Sequence, residues 1–403
     1  MAVSDSIDDE RGTTVGVQAA LVDGQLIPGD VRIADGVVAE IGISAEPTAR
    51  GIAVPGFIDL HINGFAGVDF LTADVGDYAR AGQALAATGV TAYLPTFVSA
   101  PPDAYLPAFD ALAGADQGGE QGAPRVLGVH LEGPFISPRW AGAHDRSHIR
   151  SPDFALAERL CDAGPVRVMT LAPELPGGLE LIDQLTERGV AVSCGHSDAT
   201  AEVAHHAFDR GASAITHIYN AHRRWQPRDP GLAGAALVRE EVTVQAILDD
   251  VHLAPETGFA TALAAGDRFC LVTDAIACAG IEPRDCHLAG QVVHVQGGEA
   301  RLPDGTLAGS LLTMDRALAN LVATGTSLAD AVHATARTPA MLIGRPDLGR
   351  IAVGLPADIV VLDDQLRVTR TLIGGREAGP VRLNRKRSGP ADAQLSGRQR
   401  PTA

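Results

Sequence analysis

The chain has 403 residues, of which 46% are hydrophobic and 20% charged, so it can build a large core and is not globally disordered. A net charge of −17 argues against a nucleic-acid surface and against docking on anionic membranes. A small anionic substrate remains compatible, because one pocket can be locally positive.

Residues 14–54 read as short strands, with hairpin turns at Asp23-Gly24 and Asp35-Gly36. Eight apolar strand candidates follow, at 56–62, 91–97, 126–132, 166–172, 190–195, 214–219, 244–249 and 269–273. Ala-rich stretches with helical spacing separate them, for example at 76–88, 153–163, 177–188, 199–210 and 255–265. Eight strand–helix repeats predict an α/β fold, a (β/α)8 TIM-type barrel. The competing doubly wound sheet lacks support, since no GxGxxG follows the first strand. Residues 309–343 read as helical, and 350–375 return to strands and turns. The predicted organisation is therefore 1–54 and 350–380 as two halves of a small β-sandwich domain, 55–349 as the barrel, and 381–403 as an Arg-, Pro- and Ser-rich disordered tail.

The five cysteines, at 161, 194, 270, 278 and 286, form no tight framework, which predicts free thiols in a reducing, cytoplasmic setting. The opening MAVSDSIDDERG has no signal pattern, and no apolar run reaches the length of a membrane span.

Polar residues fall at the ends of the apolar runs: His61 in GFIDLHING, Glu132 in VLGVHLEGPF, His196 in VAVSCGHSDAT, His217 in AITHIYNA, His252 in VQAILDDVH and Asp274 in FCLVTDAI. Tens of positions separate them, so local periodicity does not explain the pattern. A parallel barrel does, because it gathers its strand ends into one mouth. Glu132, His196 and His217 as three ligands leave a fourth position for water, the arrangement of a catalytic zinc site. Iron, manganese or cobalt fits the same ligands. Asp274 is placed to move a proton between water and a leaving nitrogen; the alternative is a helix N-cap.

His61 and Asn63 close the first strand as HIN, and Asn63 breaks the His-x-His that a second metal needs. One metal is therefore favoured, with His61 and Asn63 a possible second site or support. His144, in WAGAHDRS, either polarises a substrate carbonyl or is a solvated loop residue. Arg228 and His252, with the backbone of Asn220 and Ala221, are candidates for holding an anionic group; Arg228 alone is equally an ordinary surface arginine. His205 and His206 read as surface, and Cys194 as core. Lys386 is the only lysine, so hydrolases that bridge two metals with a carboxylated barrel lysine are excluded.

Together, PGFIDLHING, HLEGPFISP with GAHD, LAPE, GHSDAT, THIYNA, RDPGLAGAAL, LVTDAI and LAGSLLTMDRAL resemble the amidohydrolase superfamily. Within it they resemble the N-acetylglucosamine-6-phosphate deacetylase family, from about residue 15 to 375. The resemblance implies Glu132, His196 and His217 as metal ligands and Asp274 as acid/base. It implies His144 and His252 at the sugar, and Arg228 with the Asn220-Ala221 backbone at a 6-phosphate. It also implies a homodimer acting on a small amino-sugar substrate. Two departures bear on the substrate: NAH where the family reads NAM, placing His222, and DDVH where it reads DGxH, placing Asp250. Another N-acetylated amino sugar is the alternative substrate. A deaminase or cyclic-amide hydrolase, and a non-catalytic relative, are the competing functions.

Overall fold

The computed structural model describes residues 12–117, 122–282 and 284–379. The expected disordered tail at 381–403 and Lys386 lie outside the described residues.

The eight apolar runs form eight parallel strands: Phe57–Ile62, Val90–Phe97, Val129–Glu132, Val166–Leu171, Ala191–Cys194, Ala214–Ile215, Thr243–Ala246 and Phe269–Leu271. Each pairs with the next in chain order. The ring closes just past the eighth strand, where Asp274 N donates to His61 O at 2.8 Å and Asn63 N to Ala275 O at 2.7 Å. Strands buried on both faces explain why the sequence shows continuous apolar runs rather than alternation. Helices at Val75–Ala86, Phe154–Ala163, Gly178–Glu187, Ala201–Asp209 and Pro255–Ala265 lie where helical spacing places them. Side chains start several of them: Asp153 accepts from Leu156 N, and Asp74 forms a capping box with Asp77.

The barrel interior is not wholly apolar. Below the mouth, Thr96, His130, Thr170, Thr216 and Ser193 form a buried hydrogen-bonded chain with links of 3.3, 2.8, 2.8 and 2.6 Å. Each member is satisfied by its neighbour, which offsets the penalty of burying it.

The flanking β segments meet in two sheets. One has six strands in the order Arg376–Glu377, Val368–Ile373, Ile359–Leu362, Ile52–Pro55, Ala19–Val22 and Gln25–Pro28. The other joins Thr13–Thr14, Asp30–Ala34 and Val37–Ile43. Val17, Val31, Ile33, Val38, Ala53, Ile359 and Val361 fill the core shared by the sheets. Asp23-Gly24 and Asp35-Gly36 turn with both residues at positive φ, as the hairpin reading requires.

Beyond the eighth strand the chain adds a three-stranded antiparallel insertion, Cys286–Leu288, Gln291–Gln296 and Glu299–Arg301. The expectation of five free thiols is corrected here. Cys278 and Cys286 form a disulfide that ties the loop after strand eight to this insertion; Cys161, Cys194 and Cys270 are free. Replacing both bridged cysteines by serine is expected to lower unfolding stability by about 2–3 kcal/mol, the loop-closure effect of a short bridge. Urea melts of oxidised parent and double variant measure it, and coincident midpoints would show that the bridge contributes nothing. Among the described residues, no helix is long and apolar enough to cross a membrane.

Candidate metal centre

The barrel brings the strand-end residues together. Glu132 is the last residue of strand three, while His196 and His217 sit two residues past strands five and six. Both imidazole Nε2 atoms lie 3.0 Å from Glu132 Oε1 and 3.2 Å from each other. All three side chains are buried. His196, His217 and Asp274 hold φ values of +47°, +29° and +50°. Such strained, non-glycine backbone is tolerated where it aims a side chain at a site.

The donor chemistry fits a divalent cation. His196 Nδ1 meets the carbonyl oxygen of Trp140 at 2.8 Å. A carbonyl only accepts, so the proton sits on Nδ1 and Nε2 presents a lone pair. That lone pair faces a carboxylate oxygen and a second imidazole nitrogen, three electron-rich atoms that a cation would draw together.

His61 and Asp274 stand beside this set. His61 Nε2 is 3.3 Å from Glu132 Oε2 and 3.2 Å from Asp274 Oδ1. Burial lowers its pKa, but the two carboxylates outweigh burial and hold it well above the ordinary histidine value. Burial pushes Glu132 up, yet its charge interaction with His61 and its close contacts with His144, His196 and His217 hold it well below the usual range. Asp274 is held down against burial mainly by His61. Asn63 Nδ2 donates to Asp274 Oδ1 at 2.6 Å, so Asn63 orients the carboxylate.

His144 is buried. Its Nδ1 accepts from Ser99 N at 3.1 Å, which leaves the proton on Nε2, 3.5 Å from Glu132 Oε2. Burial pushes its pKa down, favouring a neutral ring that donates into the site. His252 is clasped by Asp249, Nδ1 to Oδ2 at 2.8 Å. Arg228 is exposed.

The backbone N–H of Asn220 already donates to His217 O at 3.0 Å. Of that backbone pair, only the N–H of Ala221 is engaged by no described residue. Tyr219 and Ala221 adopt φ of +72° and +51°, curling this segment into the kind of turn that concentrates N–H groups.

The two departures from the family motif have local explanations. Asp250 takes φ +65°, a conformation that glycine adopts freely and aspartate tolerates, and it is exposed. His222 is buried, donates to Thr216 O through Nε2 at 2.8 Å and lies 5.7 Å from the His217 ring. It supports the ligand segment from within.

Sequence reasoning missed several supporting residues. Asp59 lies two residues before His61, on the same face of strand one, and bonds Thr273 Oγ1 at 2.5 Å; burial pushes its carboxyl up to about 6. That period-two relation in DLH was a usable signal. Ser99 and Trp140 carried none, while Glu174 in LAPE and Asp198 in GHSDAT lay inside quoted motifs with no role read for them. A cavity of about 400 Å3 elsewhere, lined by Asp69, Asp77, Arg284 and His287 among others, includes no candidate site residue.

A family model described as the amidohydrolase family matches residues 52–378. The chain is 35% identical over 363 residues to N-acetylgalactosamine-6-phosphate deacetylase from Escherichia coli O157:H7, covering 88% of this chain and 96% of that protein. It is 40% identical over 340 residues to human N-acetylglucosamine-6-phosphate deacetylase, covering 80% and 82%. A solved structure of a mutant N-acetyl-D-glucosamine-6-phosphate deacetylase from Mycobacterium smegmatis, in complex with N-acetyl-D-glucosamine-6-phosphate, is similar at TM-score 0.85. Its sequence identity is 35%, over 90% of this chain and 98% of that one.

Proposed function

The chain belongs to the amidohydrolase family, and from that premise we propose how its own residues hydrolyse the acetamide of N-acetylglucosamine 6-phosphate to glucosamine 6-phosphate and acetate. The observation that carries this reading is the meeting of Glu132, His196 and His217 with Asp274 across from them.

Glu132, His196 and His217 are the residues that would hold one divalent ion, with zinc the best match to two imidazoles and a carboxylate. Such an ion supplies Lewis acidity and lowers the pKa of water toward neutrality. Asp274 takes a proton from the attacking water and returns it to the departing nitrogen. Asn63 and His61 support that role by fixing the carboxylate and keeping it ionised. His61 with Glu132 and Asp274 forms a second group that could hold a cation, but Asn63 donates where a second histidine would ligate, which favours a single metal. His144 donates Nε2–H to the acetamide oxygen. His252 and the N–H of Ala221 bind the sugar phosphate together with Arg228. Residues 12–54 and 350–379 brace the barrel and take no part in the chemistry.

The likeness to a galactosamine-6-phosphate enzyme favours a second reading, in which the C4 epimer is the substrate. Acetate release from the two phosphorylated epimers and from unphosphorylated N-acetylglucosamine decides. Turnover of the glucosamine form above the others supports the first reading, and a preference for the galactosamine form establishes the second. Equal turnover of the unphosphorylated sugar overturns the phosphate assignment. Arg228→Ala is expected to raise KM for the phosphorylated substrate about 10-fold or more, the loss of one charged hydrogen bond, and to leave kcat nearly unchanged. An unchanged KM would remove Arg228 from the site.

A homodimer fits this reading. Trp225, which stacks on Tyr219, is 53% exposed, and Val238 is 72% exposed. A second copy would cover that apolar surface, and light scattering gives the mass. A phosphorylated sugar is too polar to leave the compartment that makes it, which supports a cytoplasmic enzyme; the Cys278–Cys286 disulfide is the feature that pulls the other way.

A further inference from the structure

His196 is held from behind by a contact that neither motif nor family model assigns. The carbonyl oxygen of Trp140 accepts from His196 Nδ1 at 2.8 Å. Trp140 lies on the loop that also carries His144, and that loop is pinned by its indole: Trp140 Nε1 donates to Asp198 Oδ1 at 2.8 Å. Asp198 is two residues past His196 in the same strand-end loop. It is fixed in turn by Glu174, whose carboxylate accepts from Asp198 N at 2.6 Å and from Ser197 Oγ at 2.7 Å. Asp198 Oδ2 accepts from Arg139 at 2.8 Å, Oδ1, the oxygen that the indole uses, lies 3.6 Å from Arg223, and Arg223 also bonds Asp229, next to Arg228.

We propose that Trp140 and Asp198 form a clasp that positions His196 as a ligand and holds the His144 loop against it. The clasp closes a ring: His196 to the Trp140 carbonyl, along that residue to its indole, across to Asp198, and back through Ser197 to His196. A ring of this kind fixes both the tautomer and the tilt of the imidazole. Gly142 shows how closely the loop is seated, since a Cβ there would lie 3.1 Å from His196 Cε1. Both are positioning residues that act through His196 and its loop. Through Arg223 the same carboxylate reaches the arginine-bearing segment, so one side chain links the metal side of the site to its anion side.

The proposal rests on His196 being a metal ligand, and the test separates the two claims. Zinc affinity of metal-free protein is measured by competition with a chromophoric chelator, independently of turnover. Parent, W140F, D198A, D198N, the W140F/D198A double variant, R139A and H196A are compared. W140F and D198A are each expected to bind zinc about 10-fold more weakly, the usual effect of removing a partner that orients a ligand. The double variant should be no weaker than the worse single, because both remove one bond. D198N keeps an acceptor for the indole and should retain parental affinity, as should R139A, which removes the exposed ion pair to Asp198 and the guanidinium over the Trp140 ring but neither bond of the clasp. Parental affinity in W140F and D198A, or losses that add in the double variant, overturns the clasp. If H196A itself keeps parental affinity, the ligand assignment fails instead. Metal-free melting curves identify a variant that fails to fold; should D198A do so, the comparison of W140F with D198N decides.

Discussion

Asp274→Asn is expected to bind zinc as the parent does and to turn over roughly 10^2–10^4-fold more slowly, the range spanned by loss of one positioned acid/base. Asn is nearly isosteric and stays neutral. It still reaches Asn63 by turning its oxygen toward the Asn63 amide, so the site stays built while the proton acceptor is gone. His61 loses one of the two carboxylates that hold its pKa up, which leaves its ring less positive but still beside Glu132. Steady-state kinetics with N-acetylglucosamine 6-phosphate, beside metal analysis of the same sample, make the measurement. A variant within a factor of about three of the parent would move the acid/base role to another group, since that is far below the general acid/base range.

Glu132→Gln is expected to have the larger effect on the site as a whole. One carboxylate serves four imidazoles: Oε1 faces His196 and His217, and Oε2 faces His61 and His144. The amide removes the charge and replaces one oxygen by a nitrogen that has no lone pair to offer a cation. Zinc should bind far more weakly than after any outer change, beyond the roughly 10–100-fold typical of such supports. Activity should fall to background, and added zinc should not restore it. In the metal-free protein the buried His61 loses a partner, and breaking a buried charge pair destabilises by about 3–5 kcal/mol. Chelator competition and thermal melts together test this. Stoichiometric metal at parental affinity in the variant would sink the assignment of Glu132 as a ligand.

The barrel was legible because each strand is a buried run with a turn or helix signal on either side, and eight such runs in order admit few other folds. The site was legible for a related reason: His61, Glu132, His196, His217 and Asp274 all follow apolar runs, and the fold itself collects the ends of those runs. Other features stayed hidden for identifiable reasons. The helix Pro102–Gln117 carries Pro107 within it, and proline reads as a breaker. The insertion at 286–301 is short and mostly half-exposed, so its alternation is weak. The pairing of Cys278 with Cys286 depends on where that insertion folds back. Trp140 meets His196 through its backbone carbonyl, and that contact leaves no trace in residue type. The left-handed backbone at His196, His217 and Asp274 is equally silent, because none of the three is glycine.

The six-stranded sheet also has a temporal consequence. Ile52–Pro55 lies beside Ile359–Leu362, so neighbouring strands are separated by about 300 residues of chain. At ribosomal rates of about 5–20 residues per second, the early strand waits roughly 15–60 s for its partner to be synthesised. During that interval Ile52, Ala53 and Val54 form an unpaired apolar edge on a nascent chain. The small domain can therefore be completed only after the whole barrel has been made, and that wait is the stage at which a chaperone would have the most to protect.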